Sequence, residues 1–329
     1  MNAAQQNIRI QQYVAAVSLV LMAAKIVAYA LTHSVAILTD ALESIVNVVA
    51  GFFGLYSLRL SAKPRDAEHP YGHGKIEFIS AAVEGVLITL AAIFIGVQAI
   101  RHLFDPPPLE QLDLGIALIA LTGIVNGVVG RWALRTGLKN NSVALQASGQ
   151  HLLSDTWTTG GILAGLILLY LTGIQWLDSL LAIGFACVIF VTGFRIVRRS
   201  MAGIMDERDR ALLQEMVAVL DRQRSKNWID IHNIRIIKYG STLHIDCHLT
   251  VPWYLNVHEA HQEIEKLATE VRSRFGHAIE LFVHSDGCLP TSCPICIKDD
   301  CPVRHHPFER RVRWTVENIE QNKRHQADT

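Results

Sequence analysis

Two short motifs inside apolar surroundings carry the side chains with the most chemistry. In "DALESIVN" (40–47), Glu43 and Asn47 stand four residues apart, and in "HLLSD" (151–155) so do His151 and Asp155. Side chains at i and i+4 of a helix share a face. Two such helices facing each other would bring two carboxylates, an imidazole and an amide oxygen to one point. Two negative charges match a divalent cation, and neutral histidine supplies a nitrogen ligand. The bland alternative is that the four groups only hydrogen-bond between helices. Ionisable groups at membrane depth are costly and are usually paired or functional, and two matched pairs favour the cation site. Asp40, one turn before Glu43, is a candidate access residue. Glu84, Gln98 and Asn126 read as interhelical hydrogen-bonding groups.

Three further clusters follow. "DAEHPYGHGK" (66–75) holds Asp66, His69 and His73 among a proline and two glycines, which preclude a plain helix and permit a tight wrap. One Asp and two His form a partial Zn²⁺ shell, against the alternative of a solvated loop. Further on, His232, His248, His261, His284 and Asp286 fall at strand or helix positions that a small α+β fold could gather, within one chain or across a dimer. His258 and Cys247 lie nearby, and scattered surface histidines are the alternative. Last, Cys288, Cys293, Cys296 and Cys301 give C-x4-C-x2-C-x4-C, with His305 and His306 after them. That spacing suits structural Zn²⁺, with an iron–sulfur cluster and a local disulfide as alternatives; a reducing compartment disfavours the disulfide.

The elements that must position these groups are legible in the composition. The chain has 329 residues, 50% of them apolar and 18% charged, with mean hydropathy +0.25. That is more apolar than a soluble protein of this length. Apolar blocks long enough to span a bilayer fall at about 13–33, 35–58, 77–103, 114–136, 143–173 and 178–200. Arg59, Lys63, Arg65 and Lys75 flank the second connector, Arg131, Arg135 and Lys139 the fourth, and Arg195, Arg198 and Arg199 follow the last span. The opposite connectors hold little beyond Arg101. By the positive-inside rule both termini are cytoplasmic, and a soluble helical bundle would not sort its charges this way. The first twelve residues lack the pattern of a cleaved signal peptide. A net charge of zero predicts no nucleic-acid partner.

The expected organisation is a cytoplasmic N-terminus (1–12), six transmembrane helices (13–203), a cytoplasmic α+β domain (204–286) and a Cys-rich segment with a C-terminal amphipathic helix (287–329). Within the α+β domain, 206–223 and 256–275 read as amphipathic helices. Residues 230–240, 241–253 and 278–286 read as strands, with a turn at Gly240. The order is αββαβ. "PFERRVRWTVENIEQNKRH" (307–325) reads as a basic amphipathic helix.

With "DALESIVN", "HPYGHGK", "HLLSD" and the His-bearing terminal domain in this order, the chain resembles the cation diffusion facilitator family from the first span through Asp286. The resemblance implies a homodimer in the cytoplasmic (inner) membrane that exchanges divalent metal for protons, a secondary active transporter rather than an enzyme. It implies a ferredoxin-like cytoplasmic domain that binds metal and dimerises. The transport site would be Glu43, Asn47, His151 and Asp155, the loop site Asp66, His69 and His73, and the terminal-domain site would draw on His232, His248, His261, His284 and Asp286, with Zn²⁺ the expected ion of the cytoplasmic sites. Lys75 and Asp206 match an interlocking salt bridge. The family's zinc exporters usually carry Asp or His where this chain has Glu43, and Asp where it has Asn47. The present set is harder and less charged, and suits Fe²⁺, Mn²⁺ or Co²⁺ as well as Zn²⁺. Proton coupling is expected at His151, since metal needs neutral imidazole and a proton displaces it. The competing classes are a non-transporting metal sensor and a membrane metalloenzyme; the latter calls for an HExxH-like pair, which the spans do not contain.

Overall fold

The computed structural model describes residues 3–61, 63–105, 111–139, 143–239, 242–276 and 279–327. Six long helices come first: α1 (Ala3–Thr32), α2 (Val35–Ser61), α3 (Ile76–Phe104), α4 (Leu112–Lys139), α5 (Val143–Thr172) and α6 (Trp176–Ile204). Each is long and apolar enough to cross a bilayer. None of the ten prolines falls inside them, so every turn keeps its backbone hydrogen bond, as a lipid environment demands. Large apolar side chains such as Phe94, Ile124, Trp157 and Leu171 point outward.

The chain forms two compact units, one of residues 1–57 and 79–201, the other of residues 58–78 and 202–329. In the first, α1, α4, α5 and the start of α2 share a core around Ala28, Ile37, Ile119, Ile162 and Leu166. Val35, Ile95, Ala99, Ala182 and Ala186 join α2, α3 and α6. Small residues set the closest approaches. A Cβ on Gly149 would lie 2.5 Å from the Leu134 nitrogen, so α5 closes on α4 only with glycine there.

The N-terminus of α2 is held by a residue from α6. Asp178 is buried and accepts from Ser34 Oγ at 2.5 Å and Val35 N at 2.7 Å. A carboxylate there satisfies orphan donors and complements the helix dipole. Asp178→Ala is expected to cost about 1–2 kcal/mol, read as a lower unfolding temperature in detergent, with Asp178→Asn costing less.

The second unit contains α7 (Arg210–Arg222), β1 (Asp230–Tyr239), β2 (Thr242–Val251), α8 (Val257–Phe275) and β3 (Ile279–Gly287), in the ferredoxin-like αββαβ order. The sheet order is β1-β2-β3, with β1 antiparallel and β3 parallel to β2. Asp209 caps α7, and Asn256 with Glu259 forms a capping box at α8. Met216, Leu220, Trp228, Ile231, Ile245, Leu249, Leu267 and Val271 form the core. The turn expected at Gly240 lies outside the described residues.

The tail departs from expectation. In place of an amphipathic helix over 307–325 there is one helical turn, α9 (Val316–Ile319), after an irregular approach. The buried residues Val312, Trp314 and Val316 are two apart, the period of an extended chain rather than of a helix. Trp314, Val316 and Ile319 enter the same core as the sheet. The Arg224 guanidinium lies over the Trp314 ring at 4.2 Å and donates to the Val312 carbonyl at 2.9 Å.

Candidate metal sites

In the membrane unit, Asn47 from α2 and His151 and Asp155 from α5 line one cavity of about 210 Å³, together with Ser18, Ser44 and Asn126. His151 Nε2 stands 3.8 Å from Asp155 Oδ2. Asn47 neighbours Asp155, yet its Nδ2 is buried with no hydrogen-bond partner. Amide O and N assignments are interchangeable at such a site, so the orphaned end can equally present the carbonyl oxygen that an ion needs. Glu43 sits one turn away, half-buried, in electrostatic reach of Asp155, Asp40 and Lys25 but off the cavity wall.

Asp40, the candidate access residue, is not on the cavity wall. It is buried and pairs with Lys25 of α1 at 2.8 Å. Thr159 of α5 donates to the same Asp40 oxygen at 3.1 Å, and Lys25 also donates to Ser44 at 3.0 Å. An acid already neutralised by an ammonium and absent from the cavity wall ties helices together. Lys25 went unremarked in the sequence, although it is the lone Lys, Arg, Asp or Glu between 13 and 33. A lone ammonium in an apolar span implies a carboxylate partner.

The loop site belongs to the second unit. Asp66 Oδ1 is 3.0 Å from His69 Nδ1, and Asp66 Oδ2 is 3.3 Å from His73 Nε2. The loop closes with Gly72 at φ +90°, a conformation that favours glycine. A hydrogen bond from the His69 N–H, above all, holds the Asp66 carboxyl below its usual range. The ligand atoms of the three lie within 4.8 Å of one another, and His73 Nδ1 is buried without a partner. That donor set fits Zn²⁺.

Nearby, Lys75 Nζ lies 2.8 Å from Asp206 Oδ2 and 4.8 Å from the centre of the Tyr239 ring. Both partners are only partly buried, so a double-mutant cycle of Lys75→Ala with Asp206→Ala is expected to give about 1 kcal/mol of coupling or less in thermal unfolding.

On the sheet, strand register makes the terminal-domain site. His232 pairs with His248, and His248 with His284, so three histidines form a row across β1, β2 and β3. Asp286 Oδ2 lies 3.2 Å from His248 Nδ1 and 3.6 Å from His232 Nε2. These three again hold their ligand atoms within 4.8 Å. His284 stands at the exposed end of the row, 3.6 Å from Asp286 and outside that group of three. His261 does not join within the chain: it is exposed on α8, 4.0 Å from Glu265.

Sequence reading missed the residues behind this row. Asp230 touches His232 Nδ1 at 3.2 Å and pairs closely with His325 on its other oxygen. Arg324 reaches Asp286 at 2.9 Å. Carboxylates behind ligating histidines fix their orientation. Burial raises the Asp230 carboxyl, and its contacts with His232 and His325 outweigh that and hold it low. Burial likewise opposes Asp286, and His248 and Arg324 bring it below its ordinary value. The i, i+2 spacing in "DIH" (230–232) was the available signal for Asp230.

Comparisons with known proteins place the chain among cation efflux proteins. Residues 12–205 match the cation efflux transmembrane domain, and residues 209–288 match the cytoplasmic domain of cation efflux proteins. The chain is 36% identical over 258 residues to the uncharacterized transporter sll1263 of Synechocystis, covering 78% of this chain and 83% of that one. It is 31% identical over 280 residues to the cation-efflux pump FieF of Yersinia pestis, covering 83% and 90% respectively. The chain thus belongs to the cation diffusion facilitator family and is a multi-pass membrane protein of cation efflux.

Proposed function

We propose that the protein exports a divalent transition-metal ion across the cytoplasmic membrane in exchange for protons, as a homodimer with both termini in the cytoplasm. The observation that carries the reading is the membrane cavity where Asn47, His151 and Asp155 converge. The 3.8 Å between His151 Nε2 and Asp155 Oδ2 is within the roughly 4 Å that one ion can bridge with ligand bonds near 2 Å. Glu43, off the cavity wall but within electrostatic reach of Asp155, is the fourth group of the proposed shell. Ions of the Zn²⁺, Fe²⁺, Mn²⁺ and Co²⁺ class suit this mixed O/N set.

Release follows from the same pair. A proton on His151 removes the nitrogen lone pair and makes an imidazolium that can pair with Asp155 directly. Proton and metal therefore exclude each other at one spot. Asn47 does not titrate, so it holds the ion without taking part in the exchange.

The loop triplet and the sheet triplet are read as resident Zn²⁺ sites of the cytoplasmic unit, with His261 available to a site shared with a second copy. Metal held there biases the membrane unit between access states only if it binds one state better. Uptake of Zn²⁺, Fe²⁺, Mn²⁺ and Co²⁺ into inside-out vesicles, with and without a pH gradient, tests the reading. Gradient-driven uptake of at least one ion supports it. Metal binding without uptake of any ion would make the protein a sensor instead.

A further inference from the structure

Between the end of β3 and α9 runs a long irregular stretch whose only regular element is a short 3₁₀ turn, Pro290–Ile295. Loops beyond about 12–15 residues without structure of their own are uncommon in compact domains unless something organises them. Of these residues only Trp314 joins the main core. The earlier part gathers round sulfur instead.

Cys288, Cys293, Cys296 and Cys301 all line one cavity of about 30 Å³, walled also by Trp253, Val303 and His305. None is in a disulfide. The backbone around this cavity is tied down by hydrogen bonds. Cys288 N donates to the Val251 carbonyl at 2.9 Å as the strand ends, and Cys296 N donates to the Cys293 carbonyl at 3.2 Å, closing the C-x2-C turn. The Arg304 guanidinium donates to the carbonyls of Cys293 at 3.0 Å, Cys296 at 3.1 Å and Lys298 at 2.5 Å.

As free thiols the group is a poor arrangement. Thiolates lining one small cavity repel one another unless a cation sits among them, and a coordinating ion deprotonates them outright. A cavity of about 30 Å³ holds one ion, since a water-sized particle needs about 10–15 Å³ on that measure.

We propose that Cys288, Cys293, Cys296 and Cys301 hold one structural Zn²⁺ as a tetrathiolate, which pins residues 288–304 to the sheet domain. The site is independent of the transport reading. Its effect reaches further along the chain, because the same tail carries Arg324 and His325 onto Asp286 and Asp230.

Cobalt substitution of the full-length protein in detergent tests this. The wild type is expected to show intense thiolate-to-cobalt charge-transfer bands in the near ultraviolet, bleached when Zn²⁺ displaces the cobalt. C293S/C296S is expected to lose them, and H232A/H248A to keep them. Should C293S/C296S fail to fold, the wild-type spectrum decides alone. Absence of the thiolate band, acid-labile sulfide with bound iron, or mass-spectrometric proof that these cysteines are disulfide-bonded would each overturn the assignment.

Discussion

Replacing His151 with alanine is expected to lower metal-driven proton flux in liposomes about a hundredfold or more. Loss of a residue that merely orients a metal ligand typically costs about 10–100-fold, and here the proposed ligand itself goes, with its titratable nitrogen. His151 lines the cavity and faces Asp155 at 3.8 Å. His151→Gln separates the two roles assigned to it. Glutamine offers an oxygen to the ion but carries no proton between pH 5 and 8. It is therefore expected to keep part of the metal affinity while losing its dependence on pH in that interval. Equal pH dependence of metal binding in wild type and His151→Gln would move proton coupling elsewhere.

The second large effect is structural. Asp40→Ala leaves the Lys25 ammonium buried with no carboxylate at 2.8 Å. Removing one partner of a buried pair costs about 3–5 kcal/mol, because the other charge stays desolvated. Thermal unfolding in detergent is expected to show that loss. The double variant K25M/D40L, which replaces the pair by apolar groups, should recover most of it. It should also retain metal binding, since the pair lies off the cavity wall. A K25M/D40L protein that folds well yet binds no metal would place Asp40 among the ligands after all.

These two residues mark what could and could not be read from the chain alone. The spans were legible because apolar length and charge sorting are local properties of sequence, and the αββαβ order because its periods change cleanly from helix to strand. His151 and Asp155 were legible because i, i+4 spacing is also local. Partners were harder. That Asp40 meets Lys25, and that Asp178 caps α2, depends on helix packing between distant segments. Spacing likewise named the sheet histidines without their register. The in-line row His232, His248, His284 comes from strand pairing, and the same pairing leaves His261 outside. In the tail, helix propensity and charge pattern pointed to a long amphipathic helix. The two-residue spacing of Val312, Trp314 and Val316 was the competing signal, and burial of those side chains against the sheet domain decided it.

The most direct test of the account is to follow metal and proton movement together in liposomes holding the wild-type protein, with a metal-sensitive dye and a pH-sensitive dye inside. The account predicts that metal entry is accompanied by proton exit in fixed proportion, and that reversing the pH gradient reverses the metal flux. Metal entry that ignores the pH gradient and moves no protons would contradict it.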